Sequence, residues 1–207
     1  MPGEQFVQML ASEFGVPAVV VGHDFRFGRQ GDGAATDLVA AGKRLGFTVE
    51  IVQPVLIDGE RVSSTAIRAA LDAGDLKSAE RWLGRPYSMR GRVVRGRQLG
   101  RELGYPTANL RLERRRSPLA GIFAVRVHGV ETRALPGVAS LGTRPTVDGV
   151  EPLLEAHIFD YSGDLYGREI EVEFVQKLRE ELRFDSVEAL IVQMDRDAMA
   201  ARSILKT

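Results

Sequence analysis

Downstream of residue 84 the apolar residues of this chain recur at every second position, and that period commits the segment to β-strands. In IFAVRV, Phe123, Val125 and Val127 alternate with Ala124, Arg126 and His128, and in REIEVEF, Ile170, Val172 and Phe174 alternate with Glu169, Glu171 and Glu173. Successive side chains of a strand point to opposite faces, so each run offers one face to a core and one to water. MRGRVV, TRALPGVASLG and LLEAHIF, with glycines and prolines between them, bring the count of short strands to that of a small closed barrel or sandwich. A terminal helix follows. Asp185 and Glu188 have capping-box spacing, and Leu190, Ile191, Met194 and Ala198 form one apolar stripe, which is expected to close an open face of the barrel.

Upstream of residue 84 the texture is that of α/β architecture. An amphipathic start, EQFVQMLASEFG, precedes PAVVVG, an apolar run of the kind that fills a strand buried on both faces. TDLVAAGKRLG reads as a helix stopped at Gly46, FTVEIVQPV as a second strand, and VSSTAIRAALDAG as a serine-capped helix ending at Gly74. DLKSAERWLG supplies one more short helix before a linker at Gly84, Arg85 and Pro86. The expected division is therefore 1–83 and 84–207.

Composition narrows the function. The 207 residues, 44% of them apolar, suffice for a core, and the formal charge of zero argues against a bulk polyanion binder. The chain has no cysteine, so neither disulfides nor thiolate metal sites can form. It shows no signal-peptide pattern at its start and no apolar stretch of membrane-spanning length, which predicts a cytoplasmic protein without a membrane partner.

The run GRQLGRELGYPTAN, Gly96 to Asn109, carries the chemistry. Glycines at 96, 100 and 104 allow backbone N–H groups to close over a polyphosphate. Pro106 fixes a torsion, while the Thr107 hydroxyl and the Asn109 carboxamide oxygen are hard donors of the type that a magnesium ion shared with phosphates accepts. In LLEAHIF, Glu155 and His157 share one face of a strand, with Leu154, Ala156 and Ile158 on the other. His157 has no histidine or cysteine neighbour for a metal site and reads as a structural or exposed residue.

Taken together, GRPYSMRGRVVRGRQLGRELGYPTANL, GIFAVRV, GVASLGTRPTV, LLEAHIFDYSGDLYG and VEFVQKLREELRFDS resemble, in order and spacing, the kinase domain of the bacterial bifunctional riboflavin kinase/FMN adenylyltransferase family, the prokaryotic FAD synthetases. The likeness spans residues 84–207. Residues 1–83 resemble the later part of the family's adenylyltransferase domain through VVVGHDFRFGRQGDG and VSSTAIR. The resemblance implies a partial Rossmann-like nucleotidyltransferase segment followed by an all-β, six-stranded antiparallel Greek-key barrel with a C-terminal helix. It further implies transfer of the γ-phosphate of ATP to the 5′-hydroxyl of riboflavin, with Mg²⁺, giving FMN and ADP.

Residue by residue, the likeness assigns Thr107 and Asn109 to the metal and phosphates, with Pro106 and the loop of Gly96, Gly100 and Gly104 over the nucleotide. Glu155 is the implied catalytic acid, receiving the ribityl hydroxyl proton. Arg179 and the loop of Gly142, Thr143 and Arg144 would bound the flavin. Ser63, Ser64, Thr65 and Arg68 match the family's second adenylyltransferase phosphate motif. The family's HxGH-type motif occurs nowhere in the sequence, where His23, His128 and His157 stand singly. Negligible adenylyl transfer to FMN is therefore expected, together with an exposed sheet edge in the first segment that favours self-association.

Two other readings stand beside the kinase. Arginines crowd the region from Arg85 to Arg116, so a barrel with a basic rim could hold a single nucleic-acid strand, although stacking aromatics are few and the net charge is zero. A flavin-binding module without catalysis is the other.

Overall fold

The computed structural model describes residues 1–96, 100, 103–112, 116–146 and 149–207, with 144–146 and 149–150 described by their backbone. The chain divides into two compact units, Met1–Val62 and Ser63–Thr207.

In the first unit, helix α1 (Gly3–Gln8) runs on into a π-helical turn, and strand β1 (Ala18–Gly22) follows. A short hairpin of β2 (Arg26–Phe27) and β3 (Gly33–Ala34) leads to α2 (Ala35–Leu45), which stops at Gly46 in the left-handed conformation, φ +87°. β4 (Thr48–Val52) then pairs with β1 in parallel, and β5 (Leu56–Ile57) and β6 (Glu60–Arg61) form a small hairpin. The apolar face of α2, with Ala35, Leu38 and Ala41, packs with Val7, Val21, Phe27 and Phe47 into a small core. PAVVVG does not fill a strand buried on both faces: Val20 is 62% exposed, because β4 is its one partner strand among the described residues.

The second unit opens with α3 (Ser64–Asp72) and α4 (Leu76–Leu83), capped by Ser63 and Asp75, whose side chains accept from the Ala66 and Ser78 N–H groups. Ala70, Leu71, Leu76 and Ala79 are buried in the same core as the strands that follow. The compact unit thus begins upstream of the change in period at residue 84, since these helices bury their apolar faces on the strands.

Those strands are β7 (Ser88–Val94), β8 (Ala108–Arg111), β9 (Gly121–His128), β10 (Leu135–Thr146), β11 (Gly149–Ile158) and β12 (Glu169–Arg179). Hydrogen bonding closes them into an antiparallel barrel in the order β10-β11-β8-β7-β12-β9. β9, β10 and β11 form a meander and β12 returns beside β9, which is a Greek key. The period of two accounts for the core: Phe123, Val125, Val127, Leu154, Ile170, Val172 and Phe174 all point inward and are at most 2% exposed. Each such side chain contributes about 1.5–3 kcal/mol of burial.

The terminal helix α5 (Val187–Leu205) is capped by Ser186, whose hydroxyl accepts from the Ala189 N–H at 3.1 Å, and not by Asp185. Nor does it close an open face, because strand pairing already completes the barrel. Its C-terminal half lies on the barrel's outer surface, where Ala198, Ala201, Ile204 and Leu205 pack on Ala124, Val138, Phe159 and Val175. No helix among the described residues is long and apolar enough to cross a membrane.

Candidate active site

Between the outer face of the barrel and the N-terminal half of α5 lies a cavity of about 560 Å³. Strand alternation builds its wall. On β11, Leu154, Ala156 and Ile158 belong to the core, whereas Leu153, Glu155 and His157 face the cavity. In the ladders, Glu155 stands opposite Asn109 of β8 on one side and Ser140 of β10 on the other. Directly opposed residues bring their Cβ atoms to within about 4.5–5.5 Å. A carboxamide, a carboxylate and a hydroxyl therefore form a row across three strands, and all three line the cavity.

Thr107, one alternation before Asn109, lines the same space. Asn109 is itself buried, 7% exposed, with its Nδ2 3.5 Å from the Thr107 carbonyl. Gly96 presses on it so closely that a Cβ there would sit 2.6 Å from Asn109 Nδ2. Gly100 also lines the cavity, and its carbonyl accepts from the Tyr105 N–H at 2.7 Å. Gly104 adopts φ +83° immediately before Tyr105. Residues 97–99 and 101–102 of this glycine-rich stretch lie outside the described residues, as do Arg114 and Arg115 of the basic run.

Two side chains hold this segment. His157, read from the sequence as a structural or exposed residue, makes a structural contact: its Nδ1 donates to the Pro106 carbonyl at 2.9 Å, the carbonyl being able only to accept. The Tyr105 hydroxyl donates to Asp195 of α5. Burial, then the hydrogen bond to Asp195 and its negative charge, push the phenol up to about 12, so at neutral pH the hydroxyl keeps its proton. The two rings meet edge to face, 5.1 Å between centroids.

The opposite wall carries Arg179, Glu181, Leu182, Phe184, Leu190 and Met194. A register shift between Lys177 and Arg179 interrupts the β12 ladder, and such bulges re-aim the side chains that follow. The Arg179 guanidinium is forked on Asp197 of α5, Nη2 to Oδ2 at 2.6 Å and Nε to Oδ1 at 2.9 Å, and its Nη1 donates to the Glu180 carbonyl at 2.8 Å. Asp197 also accepts from Gln193 Nε2 at 2.9 Å, which completes the satisfaction of a buried carboxylate.

GTRPT is not a loop: Gly142–Thr146 continue β10 and pair with 149–153 of β11. Gly142 leaves room for Glu181, since a Cβ there would lie 2.7 Å from Glu181 Cδ. Thr143 lines the cavity, while the Arg144 side chain lies outside the described residues. Ser63, Ser64, Thr65 and Arg68 are not among the residues described as lining this cavity; Ser63 caps α3 and Arg68 is exposed on it.

The donor set is one of hard oxygens. Among the described residues no cluster of three or more His, Cys, Asp or Glu side chains could hold a metal ion by itself. The Thr107 hydroxyl and the Asn109 carboxamide on a shared wall instead fit a Mg²⁺ ion that completes its coordination with phosphate oxygens and water.

The closed Greek-key barrel thus carries a polar row on its outer wall, which Leu190, Met194 and Asp197 of α5 face across the cavity. Comparison with known proteins makes the class specific. The family model described as riboflavin kinase, or flavokinase, matches residues 83–205, and that described as FAD synthetase matches residues 1–66. The chain belongs to the riboflavin kinase family.

Among curated relatives, the bifunctional riboflavin kinase/FMN adenylyltransferase of Pseudomonas fluorescens is 49% identical over 95% of this chain and 63% of its own length. That of Haemophilus influenzae is 44% identical over 97% of this chain and 65% of its own, and that of Escherichia coli K12 is 45% identical over 94% and 62%. The chain thus spans just under two thirds of the length of these relatives. A solved structure named as a macrolide-efflux protein from Streptococcus pneumoniae superposes with TM-score 0.73 at 34% identity, covering 98% of this chain and 65% of that one.

Proposed function

We propose that the second unit phosphorylates riboflavin: the 5′-hydroxyl oxygen bonds to the γ-phosphorus of ATP, the bond from that phosphorus to the bridging oxygen breaks, and FMN and ADP leave. The observation that carries the reading is the pairing of Glu155 with Asn109 in one ladder, on the wall that Thr107 also lines. Phosphoryl transfer asks for a hydroxyl aligned with the terminal phosphate, neutralised charge and a group to accept the hydroxyl proton. Glu155 accepts that proton. Because the alcohol loses it late in a loose transition state, the placement of the carboxylate on a rigid strand matters more than its basicity.

Thr107 and Asn109 would hold Mg²⁺ through side-chain oxygens, and the ion would neutralise charge on the phosphates. Apolar Phe184, Leu190 and Met194 on the far side offer surface to a flat heteroaromatic ring, with Arg179 at its margin. Membership of the family and the likeness of residues 83–205 to its kinase model support the same reading.

Adenylyl transfer to FMN is expected to be negligible from this chain, whose sequence lacks an HxGH-type motif. Incubating the purified chain with riboflavin, ATP and Mg²⁺ and separating the products by chromatography tests both statements. FMN alone is the expected product. FAD overturns the second statement, and neither product overturns the first. Quenched riboflavin fluorescence without turnover would mark a binding module.

A further inference from the structure

The β8–β11 ladder ends at Ala108 opposite Ala156, so Tyr105, Pro106 and Thr107 approach the cavity without strand pairing to β11. Something else must fix Thr107. From the β11 side, His157 Nδ1 reaches the Pro106 carbonyl at 2.9 Å, and its ring rests edge-on against buried Phe159 at 5.7 Å. From the α5 side, the Asp195 carboxylate accepts from the Tyr105 hydroxyl, a contact between residues ninety positions apart in the chain. The rings of Tyr105 and His157 also touch each other. Consecutive residues Tyr105 and Pro106 are thus held from two walls, immediately before the Thr107 hydroxyl.

We infer that Asp195 and His157 are positioning residues: acting through Tyr105 and Pro106, they form a clasp that sets Thr107 and Asn109 opposite Glu155 and thereby governs the binding of metal-bound ATP. The inference rests on the kinase reading given above. A hydrogen bond made only to fasten a loop would affect stability and both substrates together. A clasp on the phosphate side weighs on ATP alone, because the flavin wall of Arg179, Phe184 and Leu190 does not include Tyr105 or Pro106.

The test uses the full chain carrying Tyr105→Phe, Asp195→Ala, both together, Asp195→Asn and His157→Ala, with FMN formation measured against ATP and riboflavin separately. Each single loss of a clasp contact is expected to raise KM for ATP in the presence of Mg²⁺ by about five- to tenfold. The riboflavin dissociation constant, read from fluorescence quenching, stays within about twofold because the flavin wall keeps its contacts. Tyr105→Phe with Asp195→Ala together is no worse than either alone, since both remove one bond. Asp195→Asn keeps an oxygen acceptor and recovers most of the loss, which shows that the Ala effect is not misfolding. If the wild-type chain forms FMN while these variants leave KM for ATP unchanged, raise both constants equally, or combine additively, the clasp is overturned and the kinase reading stands. If the wild-type chain forms no FMN, both fall.

Discussion

At the scale of single residues the site depends on contacts with little room to give. Gly96 lies against Asn109, which is buried and hemmed by its own strand, so a methyl group at 96 must displace the carboxamide. Overpacking of this sort costs about 1–3 kcal/mol, and Gly96→Ala is expected to weaken ATP by about five- to a hundredfold while sparing riboflavin, as titration of FMN formation against each substrate would show. Thr107→Ala should raise both the Mg²⁺ and the ATP concentrations needed for half-maximal rate; an unchanged Mg²⁺ requirement would remove the hydroxyl from the metal site. Thr107, Asn109 and Glu155 line one cavity, the first two singled out in the sequence by the Pro-Thr-Ala-Asn turn and the third by the family resemblance alone. Tyr105 lies within the same motif and was passed over, since its partner Asp195 is distant in the chain and nothing in sequence spacing links them. His157 shares a strand face with Glu155, as the alternation implied, but its bond to the Pro106 carbonyl, 51 positions away, had no signal in sequence spacing.

At the scale of elements, α5 is the fixture on which the outer site is mounted. Asp197 holds Arg179 where both side chains are largely shielded from water, 8% and 18% exposed. Removing one member of such a pair leaves a poorly solvated charge behind, so Asp197→Ala is expected to cost about 3 kcal/mol or more. For a chain of this size that lowers the thermal midpoint by about 6–12 °C, measurable by a calorimetric scan. Further along α5, Arg202 is forked on Asp160 at the end of β11, both bonds 2.9 Å, and this pairing holds the Asp160 carboxyl below its ordinary value of 3.8. A carboxyl depressed in the folded state lends stability that is present above pH 3.8 and is lost as the pH falls through the folded value. Asp160→Asn, tolerated at φ +56°, should therefore be less stable than the parent at neutral pH, with the gap closing as acid is added below pH 3.8. A gap independent of pH would deny the ion pair its role. The strands and this helix were readable from periods of two and of the α-helix. The destination of the helix and the aim of Arg179 were not, because the first is set by which outer barrel residues are apolar and the second by a break in strand register.

For the whole molecule, the division into Met1–Val62 and Ser63–Thr207 has a consequence for where the chain can be cut. Leu71, Leu76 and Ala79 share the barrel's core, so a fragment starting at Ser63 should keep riboflavin phosphorylation and its thermal midpoint. One starting at Arg85, where the sequence changes period, leaves uncovered the barrel surface that received two leucines, a loss of about 3–6 kcal/mol and hence roughly 6–24 °C. Equal stability of the two fragments would place the boundary back at the change of period. That boundary was hard to read because helices α3 and α4 carry an α/β texture whichever neighbour they pack on. The first unit, by contrast, presents Val20, Val52, Val55 and Leu56 at 47% exposure or more, which supports the expected self-association; a single monomeric species at all concentrations in sedimentation would contradict it.

The central claim is that the outer wall of the barrel is where riboflavin gives up its proton to Glu155, and one comparison addresses it most directly. FMN formation by Glu155→Gln is measured beside that of the parent chain, with riboflavin binding followed by fluorescence in both. Loss of a general base predicts a fall in turnover of about two to four orders of magnitude with binding nearly intact. Turnover close to that of the parent, with riboflavin and ATP still bound, would contradict it.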